Sequence, residues 1–353
     1  MLLYCDRFSP LFRRPLQLSA VALLALFCAV SLCSCEDVES WTSSFTENGG
    51  GQKQESESLV QLVEQVISER FNSDSLASQI RGNMIQRVVV PAVPQSATFA
   101  GEEVPLHFSD VRESLIRELT AISYMHSSLV YTIQLSGRYR ERVCRILRSE
   151  GVPEDFFYLC IAESMLQPLT SSAAAAGYWQ FLKGTGKEYG LIIDSEVDQR
   201  YDWEASTRAA CKYLKKARER YGNWTLAAAS YNIGTRNIDK RSAEQQTRNY
   251  YDMQLPQETA RYLFRAIAYK TIMENPSAYG FDIKEEDLFR EPEHKMVTVK
   301  GSIASWSKFA KSHGTNFKLL KMYNEWIRSN KLSNGKGRRF EVFIPEREVH
   351  QSE

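Results

Sequence analysis

Hydrophobic positions in the middle of the chain recur with the period of an α-helix. From Asp110 onward, Val111, Leu115, Leu119 and Ile122 fall on one face. A second helical stretch covers residues 138–149 and stops at Gly151, after which Pro153 opens the next. Residues 154–166 are apolar nearly all round, with Phe156, Phe157, Leu159, Cys160, Ile161, Ala162 and Met165, so this helix should be buried on every side. Further helices are predicted over 203–221, 225–232 and 258–273. No strand alternation interrupts this span, and the body reads as mostly α. Nearer the N-terminus, Leu59, Leu62, Val63, Val66 and Ile67 mark an amphipathic helix, and Pro91 and Pro94 make 88–94 an extended connection. The pattern changes after Pro292. Residues 296–300 and 340–345 are β-like, while 306–313 and 316–326 are helical. That β-α-α-β order sets off a small α+β module over residues 293–350.

The N-terminal end has a different character. Arg13 and Arg14 precede a run from 16 to 32 made almost wholly of Leu, Ala, Val, Phe and Ser. A basic flank before a short apolar core reads as an export signal. Its end, Leu32-Cys33-Ser34-Cys35, looks like the lipobox of bacterial lipoproteins, with residues 1–35 as the signal and Cys35 as the acylated residue. A plain cleaved signal and an uncleaved anchor are the alternatives. Residues 36–57 are polar and contain Gly49-Gly50-Gly51, as expected of a disordered tether. Residues 58–105 then form a helical and extended lead-in. Cys144, Cys160 and Cys211 lie in apolar helical patterns without paired spacing, and are expected to be buried free thiols. With 25% charged residues and a net charge of +1, the chain has no polyanion-binding signature, and nucleic acid is excluded as a partner class.

Glu163 is the first candidate for chemistry. Its neighbours one turn away, Leu159, Cys160, Leu166 and Gln167, carry no positive charge. An ionised carboxylate in such surroundings is costly, so the group should be protonated near neutrality, as a general acid for a glycosidic oxygen must be. A helix-end glutamate pointing into solvent is the plainer alternative. Residues 171–177 are all small, which leaves space and lets a ligand approach the backbone. Tyr178, Trp179 and Gln180 follow, and an aromatic face beside an amide suits a sugar. Ser230-Tyr231-Asn232-Ile233-Gly234 is similar, polar residues with a helix-ending glycine. Each segment alone also fits simple packing.

Together they resemble the catalytic domain of the lytic murein transglycosylases, whose lysozyme-like fold is shared with goose-type lysozyme. The likeness starts at Gly151-Val152-Pro153-Glu154-Asp155 and runs through Ala162-Glu163-Ser164 with Pro168 beyond it. It continues through Ala176-Gly177-Tyr178-Trp179-Gln180-Phe181, Thr185-Gly186, Tyr189-Gly190-Leu191 and Asp198-Gln199-Arg200-Tyr201-Asp202. Tyr213-Leu214, Tyr231-Asn232-Ile233-Gly234 and Glu258-Thr259-Ala260-Arg261-Tyr262 close it. The membrane-bound type D branch, with its lipoprotein signal and C-terminal LysM modules, is the most similar. The resemblance implies a catalytic domain over 106–290, no metal and no cofactor.

It also implies roles. Glu163 would protonate the leaving oxygen and then take a proton from the C6 hydroxyl of N-acetylmuramic acid, closing a 1,6-anhydro ring. Ser164 accompanies the acid, and Ser172 would contact substrate near it. Gln180 and Asn232 would hold acetamido and hydroxyl groups, Tyr178 would offer its face, and Tyr231 would orient the sugar. Glu258 and Tyr262 would line the far wall. The chain departs from the family pattern at Ile233, where Ala is usual, and at Ala260, which interrupts the Glu-Thr-Arg element. The tail resembles a worn LysM domain, with Ile303-Ala304-Ser305 where a Gly-Asp-Thr turn is usual. Glycan binding there and a purely structural cap are both open. The partners so implied are peptidoglycan strands and, through Cys35, a lipid membrane of the cell envelope, the outer membrane facing the periplasm. Two rivals stand: a lysozyme-like hydrolase using Asp194, Asp198 or Asp202 to position water, and a non-catalytic wall-binding lipoprotein.

Overall fold

The structure is a computed structural model that describes residues 89–346. The export signal, Cys35, the tether, the helix expected around Leu59 to Ile67 and the last residues of the tail lie outside the described residues.

A short hairpin opens the described chain. β1 (Ala97–Phe99) pairs antiparallel with β2 (Glu102–Val104). The turn between them has positive φ at both Ala100 (55°) and Gly101 (77°), the geometry that suits a two-residue hairpin. Sequence alternation did not reveal these strands, because three residues each are too few for a period to register. The helices then follow: α1 (Ser109–Ser123), α2 (His126–Ser149), α3 (Phe156–Ser164), α4 (Lys183–Glu188), α5 (Trp203–Tyr221), α6 (Trp224–Ile233), α7 (Thr235–Gln245) and α8 (Gln257–Glu274). The body is mostly α, as its periodicity predicts. α2 begins a full three turns before residue 138, and α4 and α7 were not anticipated, being short or polar.

Helix α8 is the central post, packing against α1, α3 and α6. α3 is buried all round: Phe156, Phe157, Leu159, Cys160 and Ile161 have no exposed surface. Caps fix where the helices start. The Asp202 carboxylate accepts from the Ala205 amide at 2.9 Å at the head of α5, and Asn223 accepts from Leu226 at 2.8 Å at the head of α6. The Trp224 and Thr225 amides also donate to Glu102 at 2.6 and 3.0 Å, which ties the hairpin to α6. Cys144, Cys160 and Cys211 are buried and free.

The tail has the expected order. β3 (His294–Val299), α9 (Trp306–Ser312), α10 (Phe317–Tyr323) and β4 (Phe340–Pro345) follow one another, with β3 and β4 antiparallel from His294↔Pro345 to Val299↔Phe340. Trp306, Ala310, Leu320, Trp326, Ile327, Leu332 and the β4 residues form its core. Val197, from the helical body, is fully buried in that same core.

Candidate active site

Glu163 is the next-to-last residue of α3, which ends at Ser164 rather than at residue 166 as the apolar run predicts. The backbone leaves the helix at once: Met165 (φ 51°) and Leu166 (φ 58°) are both left-handed. A carboxylate at a helix C-terminus meets the negative end of the macrodipole, which disfavours its ionised form. The side chain is partly exposed, so a substrate can reach it. Tyr262, buried on α8, donates its hydroxyl to Glu163 Oε1. Burial pushes the Glu163 carboxyl up to about 7; the Tyr262 hydrogen bond and the Arg265 charge pull it back, and the Glu258 charge pushes it further up. It therefore stands poised between acid and base near neutral pH.

Tyr262 bonds this carboxyl, the charges of Glu163 and Tyr231 and of Glu163 and Glu258 act on each other, and Asn232 follows Tyr231 on α6. Tyr231 packs on Trp179, Phe181 and Tyr213, and its hydroxyl donates to the Trp179 carbonyl at 2.8 Å. Asn232 accepts through Oδ1 from the Thr259 hydroxyl at 2.7 Å, a bond that leaves its two amide donors unused. Glu258 is exposed in the first turn of α8, its charge felt at Glu163. Ser172 lies exposed in the small-residue loop, where Ala175 N donates to Ser171 Oγ at 3.1 Å. Gln180, left-handed at φ 47°, turns its amide inward onto the Gly177 and Leu169 carbonyls at 2.7 and 3.1 Å. In this state it shapes the loop.

Two expected substrate contacts are placed otherwise. Ser164 is buried and donates to the Cys160 and Tyr178 carbonyls at 3.3 and 2.8 Å, as a serine ending a helix next to an incoming loop must. Tyr178 offers no open face. Its ring stacks on Trp203 at 3.4 Å between centroids, and its hydroxyl donates to Glu325 of the tail module. A cavity of about 270 Å³ lies on that side, lined by Tyr139, Tyr178, Trp203, Tyr323 and Glu325, rather than at Glu163.

Arg265 was missed by sequence reasoning. Glu118, buried on α1, pairs with Arg261 at 2.6 Å and with Arg265 at 3.8 Å. Arg261 stands inside the Glu-Thr-Ala-Arg-Tyr run, but nothing local pointed to its partner across the core. The aspartates that might position water are occupied. Asp194 pairs with Arg338 at 3.0 Å, Asp198 with Arg200 at 2.7 Å, and Asp202 caps α5. Among the described residues, no group of three or more His, Cys, Asp or Glu side chains gathers as a metal site would.

The helix that carries Glu163 lies inside a segment that matches a known domain family. The Transglycosylase SLT domain matches residues 145–254. The Soluble lytic transglycosylase C-terminal LysM-like domain matches residues 295–348, the β-α-α-β tail. The chain is also similar to the Membrane-bound lytic murein transglycosylase D of Escherichia coli K12 and of Escherichia coli O6:H1, 27% identical over 266 residues in each case. That match covers 72% of this chain but 56% of each relative, so the chain spans little more than half their length. Tyr262 and α8 lie beyond the residues matched to the SLT domain.

Proposed function

We propose that the chain is a lytic transglycosylase of peptidoglycan, cleaving the bond between N-acetylmuramic acid and N-acetylglucosamine without water. The observation that carries this reading is the Glu163 carboxyl, protonatable near neutral pH and held by the Tyr262 hydroxyl. Glu163 gives its proton to the glycosidic oxygen as the C1–O bond breaks. The substrate's acetamido oxygen steadies the positive charge left at C1. Glu163, now a carboxylate, takes the proton from the C6 hydroxyl, and O6 bonds to C1 to close the 1,6-anhydro ring. The acid returns to its starting form, and no water is consumed. Asn232 supplies amide donors for the sugar, Tyr231 orients it, and Ser172 and Glu258 border the groove. Gln180 joins them if the loop opens its amide to the ligand. The likeness to the two Escherichia coli enzymes supports the activity, and that those enzymes are membrane-bound supports an envelope location with a lipid on Cys35. No helix among the described residues is long and apolar enough to cross a membrane.

A hydrolytic reading keeps one foothold. Two-carboxylate glycosidases place a second acid near the first, and the carboxylate whose charge reaches Glu163 is that of exposed Glu258. Product mass separates the two. Digests of purified murein should contain ends one water lighter than hydrolytic ends, and Glu163→Gln should fold and release nothing. Water-containing ends would make the protein a hydrolase, and binding without any soluble product would make it a wall-binding protein.

A further inference from the structure

We infer that the C-terminal module is a brace for the catalytic groove, with Arg200 as the positioning residue that carries its support to the loop of residues 170–181. The inference rests on the reading of the Glu163 groove as the active site. Three lines of contact run from the module to that loop.

The first passes through the turn at 192–198. Ile193 faces the core of the helical body while Ile192 and Val197 face the core of the module, so the turn is shared between two cores. The module grips it through its α10–β4 connection. Asp198 N donates to the Trp326 carbonyl and Arg328 N to the Glu196 carbonyl, both at 2.9 Å. Ser333 Oγ donates to Glu196 at 3.0 Å and Arg338 to Asp194 at 3.0 Å. The turn feeds directly into Arg200, whose half-buried guanidinium rests on Asp198 at 2.7 Å and donates to the Ala174 and Phe181 carbonyls at 3.0 and 3.1 Å. Those two carbonyls belong to opposite arms of the groove loop. Gly177, between them, lies so close that a Cβ there would stand 1.8 Å from the Arg200 carbonyl oxygen.

The second line is Arg328 of the module, lying over the Tyr201 ring at 4.4 Å, with the Tyr201 hydroxyl 2.6 Å from that of Thr170. The third is Glu325, which receives the Tyr178 hydroxyl, while the Tyr178 carbonyl accepts from Ser164, the residue after the acid. A module that served only to attach the protein to a polymer would need none of these links. Moreover, its β3–α9 and α10–β4 connections are joined to each other at Ile303 and Leu332, and the second of them is occupied by the 194–198 turn.

The test uses the full chain carrying Val197→Ala, Arg200→Gln or Arg200→Lys. Turnover is followed on murein, sacculus binding by co-sedimentation in a Glu163→Gln background, and the Ala176 and Gly177 amides by hydrogen exchange. A loop displaced by even a fraction of an ångström should cost about tenfold in kcat for Val197→Ala and Arg200→Gln, with co-sedimentation unchanged and Arg200→Lys partly restored. The two amides should lose protection in the same variants. Unchanged kcat with lost co-sedimentation would overturn the brace in favour of an attachment module. Should either variant fail to fold, Glu196→Ala, at the edge of the contact, replaces it and must show the same loss of protection. A wild-type chain inactive on murein would sink the proposed function, while the exchange measurement would still decide the brace.

Discussion

Removing one oxygen atom, by Tyr262→Phe, isolates the control that α8 exerts on the acid. The Tyr262 hydroxyl donates to Glu163, and this bond favours the charged carboxylate against burial and the Glu258 charge, which favour the neutral form. A hydrogen bond to a charged group contributes about 1.5–3 kcal/mol, and one pKa unit corresponds to about 1.4 kcal/mol, so its loss should move the titration of Glu163 upward by about one pH unit or more. The free enzyme must start protonated, so kcat/KM should fall as pH rises through the acid's titration, near 7 in the wild type. In the variant that alkaline limb should lie at higher pH. At pH 6 the carboxyl is already protonated, and the loss there measures orientation alone, about tenfold. The assay is the initial rate of muropeptide release at limiting substrate across pH 5–9, with melting curves to establish folding. An alkaline limb that stays put or moves down would refute this account of the site, because no other donor to Glu163 would then have been removed.

Two further outcomes follow from the same structure. Burial raises both Glu163 and Glu325 from the ordinary 4.5 to about 7, so the folded chain holds protons that the unfolded chain has released in that window. Stability should fall by up to about 3 kcal/mol for each as pH rises from 4.5 to 7, then level off, and Glu163→Gln or Glu325→Gln should flatten its share; denaturant unfolding at pH 5 and pH 8 reads this directly. Gly177→Ala forces a Cβ against the Arg200 carbonyl at a φ of 79°, and melting should drop by roughly 10 °C; an unchanged transition would mean that the loop is not held against Arg200.

Much of the fold was legible because it follows from one-dimensional periodicity. α5 and α8 sit within a residue of their predicted spans, since long amphipathic patterns bounded by Asp202 and Gly222, or by Pro256, leave little freedom. The β-α-α-β tail was legible in the same way. The candidate site reads in the sequence as a set of motifs, of which the fold brings Tyr231 and Tyr262 to Glu163. What escaped was everything set by contacts distant in sequence. Tyr178 reads as an open aromatic platform until Trp203 and Glu325 cover it from two other segments. Val197 reads as one more apolar residue of a turn, and only the folded chain shows it filling the module's core.

The local geometry around Glu163 was illegible for a more interesting reason. Met165 and Leu166 are good helix formers, so propensity extends α3 to Leu166. Tertiary packing overrides it: Leu166 is buried in the core, and the backbone turns left-handed at both residues to put it there. Such conformations cost roughly 1 kcal/mol or more for residues with a Cβ. Ala174 and Gln180 are left-handed as well, and with Met165 and Leu166 they all lie in the segment running from the acid through the groove loop. Strain so concentrated has to be held by its surroundings. The grip of Arg200 on Ala174 and Phe181, and of Ser164 on Tyr178, does that holding. Ending α3 one residue after Glu163 leaves the carboxyl partly exposed at the negative end of a helix, while the helix that carries it stays buried. A continuous helix through Leu166 would have kept both inside.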